Sequence, residues 1–420
     1  MVRWRRPILT TTTTTHDVQP VRPPHRQPAP TTREGSLATA VLRLQRLAGN
    51  STVASLVRSG RIGTPVQRDR TVTPTKKTDT STFNNIQYRV SGSGDPRLIE
   101  VVERRTRRDG TPYYLATGTV TGFAHKKPIV SVYDQPKDLG NWAPRVTHVN
   151  GMGVMPESGM KSAEALLASV QSTIAKAGDD VAVDPDVIDV LYTYSAKRSS
   201  FVSDVFNCLK GKLQVEDSVT GTQEQTMLDA VAARRRIHVS AHSRGTIKTD
   251  NAVRNAFTTL AAEYTARLRS DQGVRRAARK LQQDLIDTGL MDSKMALAFA
   301  IESVARARAE DEVKADMNRY IQLVYGGNAV SYPSSVLPVE LFVGSMDFVS
   351  LGVGTYTNWG AGWASGNKGT KLHKQSGGHG YTQNYAKPVG EAIGKDLEKT
   401  AVAERPGGVD ARDQEDGEEI

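Results

Sequence analysis

The segment Ile237-His-Val-Ser-Ala241-His242-Ser243-Arg244-Gly245-Thr246 constrains the fold more than any other part of the chain. Ile237–Ala241 reads as a short buried strand, and the text from Thr246 through Leu268 reads as a helix. Between them stands small-x-Ser-x-Gly. A serine in so sharp a strand-to-helix turn is pushed to an unusual backbone conformation, so the residues two before and two after it must be small. Here they are Ala241 and Gly245. The turn also sets Ser243 at a helix N-terminus, where the positive dipole end and the first backbone N–H groups of the helix face a developing negative charge.

A strand feeding a helix is the unit of a parallel sheet covered on both faces, and the neighbouring text repeats it. Arg145–Asn150 reads as a strand, Pro156–Ala177 as a helix, Val187–Tyr194 as a strand and part of Ser200–Leu213 as a helix. From Leu268 to Tyr320 the helical period continues without a strand: Val274–Thr288 is basic and amphipathic, and Lys294–Ala305 is apolar around more of its circumference. Such an insertion suits a cap or lid. Val339–Gly344 returns to strand. Upstream, Ile86–Val90, Leu98–Arg104, Tyr113–Thr121 and Ile129–Tyr133 are rich in β-branched and aromatic residues, with Asp109-Gly110 as a hairpin turn, and predict a small antiparallel sheet flanking the body. The predicted organisation is a leader over 1–80, a β-rich segment over 81–135, an α/β body over 136–398 with a helical insertion at 268–320, and a disordered acidic tail over 399–420.

Charge is uneven along the 420 residues. The net charge is +10, yet residues 1–70 carry 12 Lys and Arg against 3 Asp and Glu, so the body is almost neutral. Phosphate-backbone binding would therefore be confined to the leader, and no nucleic-acid partner is expected. No run of about 18 apolar residues predicts a transmembrane segment. Met1–Pro7 is basic, but Ile8-Leu9 runs into threonines, so a conventional signal peptide is not expected. The single cysteine, Cys208, excludes an intrachain disulfide and Cys-rich metal sites. No His-Glu-x-x-His pair or phosphate loop occurs, and neither a metal nor a cofactor is expected. The runs Arg104–Arg108 and Arg234–Arg236 read as solvated edges of a strand and a helix.

If Ser243 is a nucleophile, it needs an oxyanion site, a base and an orienting acid. Asn150-Gly151-Met152-Gly153 follows the Arg145–Asn150 strand, and its glycines let a backbone amide approach a substrate oxygen. We nominate the amide of Met152 together with that of Arg244. Val339–Gly344 releases Asp347 into a turn, and Ser376-Gly-Gly-His379-Gly-Tyr381 holds a histidine in a glycine-rich loop before a closing helix. Asp347 is the candidate acid and His379 the candidate base. His373, six residues earlier, stays as a rival, with His379 favoured for its small neighbours. His242 is a candidate pocket residue. His148 and His238 fall within strands, where a satisfied core role fits better.

The series Val149-Asn150-Gly151, Ala241-His242-Ser243-Arg244-Gly245, Asp347-Phe-Val-Ser350 and Gly378-His379-Gly380-Tyr381 through Tyr385 resembles the α/β-hydrolases found as lipase or phospholipase toxins among bacterial effectors, over roughly residues 145–395. The resemblance implies an α/β-hydrolase sheet and hydrolysis of acyl esters, commonly of membrane lipids. Ala241 stands where glycine is usual. In the leader, Ser36–Arg58 reads as two short amphipathic helices. Its Leu44-Gln45-Arg46-Leu47-Ala48-Gly49-Asn50, with Val53-Ala54 and Val66-Gln67-Arg68, resembles the leader of cargo proteins of extracellular contractile injection systems. That implies loading into a tail-like particle, on its inner tube or sheath, through residues 36–70, and export from the bacterial cytoplasm without a signal peptide. Whether an immunity protein accompanies the chain is left open. The alternatives are an esterase, thioesterase or acyltransferase on a soluble substrate, and a non-catalytic particle component.

Overall fold

Alternation along the central strands sets the layers. In β7 (Ile237–Ser243), Ile237, Val239 and Ala241 point to one face of the sheet and His238, Ser240 and His242 to the other, as a period of two requires. All seven residues are buried, because helices cover both faces. The computed structural model describes residues 86–140, 142–151, 154–177, 183–195, 218–287, 291–328, 336–347 and 371–403. The leader with its Ser36–Arg58 element, Met152, Gly153, the helix expected within Ser200–Leu213 and residues 404–420 lie outside the described residues.

A single ten-stranded sheet runs through the molecule in the order β10-β9-β8-β7-β5-β6-β1-β2-β3-β4. Its parallel part comprises β5 (Val146–Val149), β6 (Val190–Thr193), β7, β8 (Ile321–Asn328), β9 (Val339–Gly344) and β10 (Lys371–Gln375). The chain leaves β5 to build β6 on one side and then crosses back to build β7 on the other. This mostly parallel, helix-covered sheet is the α/β-hydrolase-like architecture expected from the sequence.

The antiparallel part is a meander of β1 (Gln87–Ser91), β2 (Leu98–Thr106), β3 (Pro112–Ala124) and β4 (Lys127–Asp138). The sequence predicts it as a small sheet flanking the body. It is instead the edge of the same sheet, because β1 pairs antiparallel with β6 from Gln87↔Thr193 to Val90↔Val190. The expected turn at Asp109-Gly110 forms, with Gly110 at φ 88° and the Asp109 carboxylate accepting from the Thr111 amide.

Helices α1 (Pro156–Lys176) and α6 (Ala386–Ala403) cover one face, burying Met160, Leu166, Leu167, Val170, Val389, Ile393 and Leu397 on Tyr88, Val190, Tyr192 and Val324. Helix α6 runs into the stretch read as acidic tail. The other face carries α2 (Ser218–Ala232), α3 (Arg244–Leu268) and the C-terminal part of α5 (Ser293–Tyr320). Helix α2, β8 and β10 are not among the elements predicted from sequence. In β8 the glycines Gly326-Gly327 hide the strand pattern, and β10, Lys-Leu-His-Lys-Gln, is a polar edge strand.

The insertion does not stand over Ser243. Helix α4 (Gln272–Asp287) packs on α5, and α5 runs antiparallel to the far end of α3, as Tyr264–Asp316, Arg267–Glu312 and Arg308–Asp271 show. Ser243 precedes the first residue of α3, so these contacts lie roughly 30 Å or more of helix away from it. A helix of 25 residues overshoots a strand of seven, and α4 with the start of α5 extends past the opposite end of the sheet.

Candidate active site

The site is built where β7 breaks into α3. Ser243 has φ 51° and ψ −124°, a conformation that costs a non-glycine residue about 1–3 kcal/mol and persists only where surrounding structure enforces it. The enforcement comes from Gly245. A Cβ there would lie 2.6 Å from the Val149 carbonyl oxygen and 2.8 Å from that of Asn150, so only glycine lets the first turn of α3 press against the end of β5. Ser243 is 1% exposed, and its Oγ has no hydrogen-bond partner among the described residues. For a buried hydroxyl that omission costs free energy, and it leaves the oxygen uncommitted toward a reactant.

The loop after β5 is anchored by Asn150. Its Oδ1 accepts from the Tyr192 hydroxyl at 3.0 Å and the Ser195 amide at 2.7 Å, while its Nδ2 donates to the Ser195 and Gly151 carbonyls. Gly151 follows against Ser243: a Cβ at this position would sit 2.9 Å from the serine Cβ. The Arg244 side chain turns away from the front of the turn to donate to Ser195 Oγ at 3.0 Å. The sequence-nominated Asn150, Gly151, Ser243, Arg244 and Gly245 therefore meet at one point, and Ala241 lies fully buried on the face of β7 opposite His242. Met152 and Gly153 lie outside the described residues.

Asp347 and His379 come together beside them. Asp347 follows β9 and is fully buried; its Oδ1 accepts from His379 Nδ1 at 2.7 Å. The two loops are stitched by Ser345 N–H to the Gln375 carbonyl and Met346 N–H to the Gly377 carbonyl. The imidazole of His379 stays 29% exposed, so one carboxylate-bound ring reaches the surface of the site. His373 does not join it. It lies on β10 with Nε2 2.8 Å from Glu340 Oε1 and its ring stacked on Phe342.

His242 bridges the two halves. Its Nε2–H donates to the His379 carbonyl at 2.8 Å, and the two rings lie 4.6 Å apart. Burial, with His379 alongside, lowers its pKa to about 3, so it is neutral at pH 7. Behind it, His148 Nδ1 meets Ser240 Oγ, which meets the Tyr381 hydroxyl at 2.8 Å; burial lowers His148 to about 3 as well. Two contributors are absent from the residues nominated by sequence. The Tyr385 hydroxyl donates to Asp347 Oδ2 at 2.5 Å, and Gly327, at φ 59°, leaves room for that carboxylate and His242. Tyr381-x-x-x-Tyr385 directly after the histidine loop was the available signal for the tyrosine.

Among the described residues no group of three or more His, Cys, Asp or Glu is placed to hold a metal ion, and no helix is long and apolar enough to cross a membrane. No protein-family model and no curated protein matches the chain. Similar solved structures include an S-formylglutathione hydrolase from Agrobacterium tumefaciens, at 10% identity over 74% of this chain and 98% of that one, with a TM-score of 0.32. A feruloyl esterase module from Clostridium thermocellum is 9% identical over 76% and 95%, with a TM-score of 0.32. A monoacylglycerol lipase from Paleococcus ferrophilus is 12% identical over 61% and 96%, with a TM-score of 0.25. The sheet order and the turn at Ser243 define the architecture independently of these likenesses.

Proposed function

We propose that this chain is a serine hydrolase of acyl esters, with Ser243 as nucleophile, His379 as general base and acid, and Asp347 as the carboxylate that orients the imidazole. One observation carries the reading: a serine in a strained strand-to-helix turn, its hydroxyl without a hydrogen-bond partner among the described residues, is linked through the adjacent His242 to the loop of a histidine held 2.7 Å from a buried carboxylate. With Nδ1–H given to Asp347, His379 in this proposal takes the Ser243 proton on Nε2 as Oγ attacks the acyl carbonyl. The carbonyl oxygen becomes an oxyanion, received by the Arg244 amide at the start of α3 and, in this proposal, by the Met152 amide. His379 then returns the proton to the leaving alcohol. Water, activated by the same imidazole, hydrolyses the acyl-enzyme and regenerates Ser243.

Labelling with a fluorophosphonate probe tests this. Ser243 is expected to carry the label in the wild type, with labelling lost in Ser243→Ala and strongly slowed in His379→Ala. A folded protein that labels elsewhere or not at all would overturn the assignment.

The proposal extends to a lipid or phospholipid substrate and to a toxin carried by a contractile injection particle, on the strength of the sequence resemblance. Deleting residues 1–70 is expected to abolish loading while sparing hydrolysis by the body; loss of both activities together would contradict that division. The position of α4 and α5, remote from Ser243, favours a second reading, a soluble ester or thioester as substrate. Hydrolysis of short-chain esters that is not enhanced by liposomes would select it.

A further inference from the structure

The five residues Tyr381–Tyr385 form one π-helical turn between the His379 loop and α6, a geometry that is rare and concentrated at functional sites. The turn sends both tyrosines inward, each buried, with different tasks. Tyr381 reaches Ser240 Oγ, beneath the site. Tyr385 reaches the Asp347 carboxylate: its hydroxyl accepts from the Gly344 amide at 2.8 Å and donates to Oδ2 at 2.5 Å, while Oδ1 is bound by His379. Cβ atoms at Gly344, Gly326 or Gly327 would lie within about 3.0 Å of the Tyr385 side chain, so the strand ends hold the ring in place.

We propose that Tyr385 is a positioning residue that both aims the Asp347 carboxylate at His379 and limits how strongly that carboxylate raises the basicity of the imidazole. This rests on the hydrolase reading for its consequence in catalysis, but not for the titration of His379. The physical argument is that a carboxylate sharing its charge with a phenol O–H on one oxygen offers less to the N–H on the other. Burial and the neighbouring carboxylate push the Tyr385 phenol far above its ordinary value, so it stays a donor at every working pH. Among the described residues, the titratable neighbours of the pair do not change state near neutrality: His242 is held neutral by burial, and Tyr381, 5.3 Å from the His242 ring, is pushed upward by burial.

The test is Tyr385→Phe beside Tyr381→Phe, which removes a hydroxyl from the same turn without touching Asp347. Two readouts are needed, the pH profile of kcat/KM on a p-nitrophenyl ester and the NMR titration of the His379 ring. In Tyr385→Phe the carboxylate, relieved of the phenol, should stabilise the imidazolium more, so the His379 midpoint and the acid limb of kcat/KM move up by about half to one pH unit. kcat should fall about tenfold with KM within about twofold. Tyr381→Phe should leave both midpoints in place. Equal behaviour of the two variants, or an unmoved His379 titration in a folded Tyr385→Phe protein, would overturn the proposal. If the NMR midpoint moves while wild-type protein hydrolyses no ester, the positioning role stands and the hydrolase reading fails.

Discussion

Among the described residues two His–Asp pairs stand near opposite ends of the same strand, and they are built inside out relative to one another. Beyond the C-terminal end of β7, Asp347 is fully buried and His379 is partly exposed, at 2.7 Å. At the N-terminal end, His238 is fully buried and Asp396 of α6 is partly exposed, at 2.9 Å, with Arg236 on the same carboxylate oxygen. In the first pair the imidazole is the partly exposed member. In the second it is sealed between strand and helix, with Nδ1 turned to the Arg145 carbonyl. Equal chemistry and nearly equal distance thus give two arrangements: one leaves the imidazole partly open, as the proposed proton transfer requires, and the other buries it where it joins α6 to the sheet.

The comparison breaks most visibly at the carboxylates. Asp347→Asn is expected to cut kcat by about 10⁴-fold with little change in folding, because the amide donates where the imidazole needs an acceptor and selects the wrong tautomer. Ester hydrolysis and a thermal melt on the same preparation measure both. A loss under tenfold would remove Asp347 from the proposed site. At the other end, His238→Ala should leave hydrolysis within about threefold of wild type but lower unfolding free energy by about 2–4 kcal/mol, since it opens a cavity and strips a buried contact from α6. Chemical denaturation gives the number, and unchanged stability would show that Arg236 alone holds the helix.

A smaller effect concerns acid. Burial raises the Asp396 pKa, but His238 and Arg236 outweigh it and lower it to about 2, below the ordinary carboxylate range. A depressed carboxylate pKa contributes stability that is fully present above the unfolded value and is lost as pH falls through the folded one. The pair should therefore be worth roughly 2 kcal/mol above about pH 5, fading toward pH 2. Denaturation of wild type and Asp396→Asn at pH 6 and pH 2.5 should show a stability gap that narrows in acid; a gap that widens would reverse the assignment.

Much of the site was legible because its chemistry needs particular residue types at short range. Small residues on both sides of Ser243, glycines after the β5 strand, and an aspartate and a histidine released from later loops are local requirements of a sharp turn and a close backbone approach. The choice of His379 over His373 was not settled locally: both precede the same helix, and only the stitching of Ser345 and Met346 to Gln375 and Gly377 decides which imidazole meets Asp347. Tyr385 stood in the sequence motif without a role because its two partners, Gly344 and Asp347, lie about 40 residues away in sequence, and only a π-helical turn brings its hydroxyl between them.

The fold divides in the same way. Hydrophobic periodicity in the sequence determined that strands alternate with helices, that a β-rich stretch precedes them and that Ser243 terminates a strand, because each of these is dictated by neighbours within a few residues. Tertiary structure alone decided that the meander joins the body's sheet through β1 and β6, that Gly326-Gly327 belong to a strand, and that the helical insertion extends away from Ser243. Edge pairing depends on which free strand edge meets which. The course of α4 and α5 depends on how far a 25-residue helix overshoots a seven-residue strand, and neither is written within any single stretch of chain.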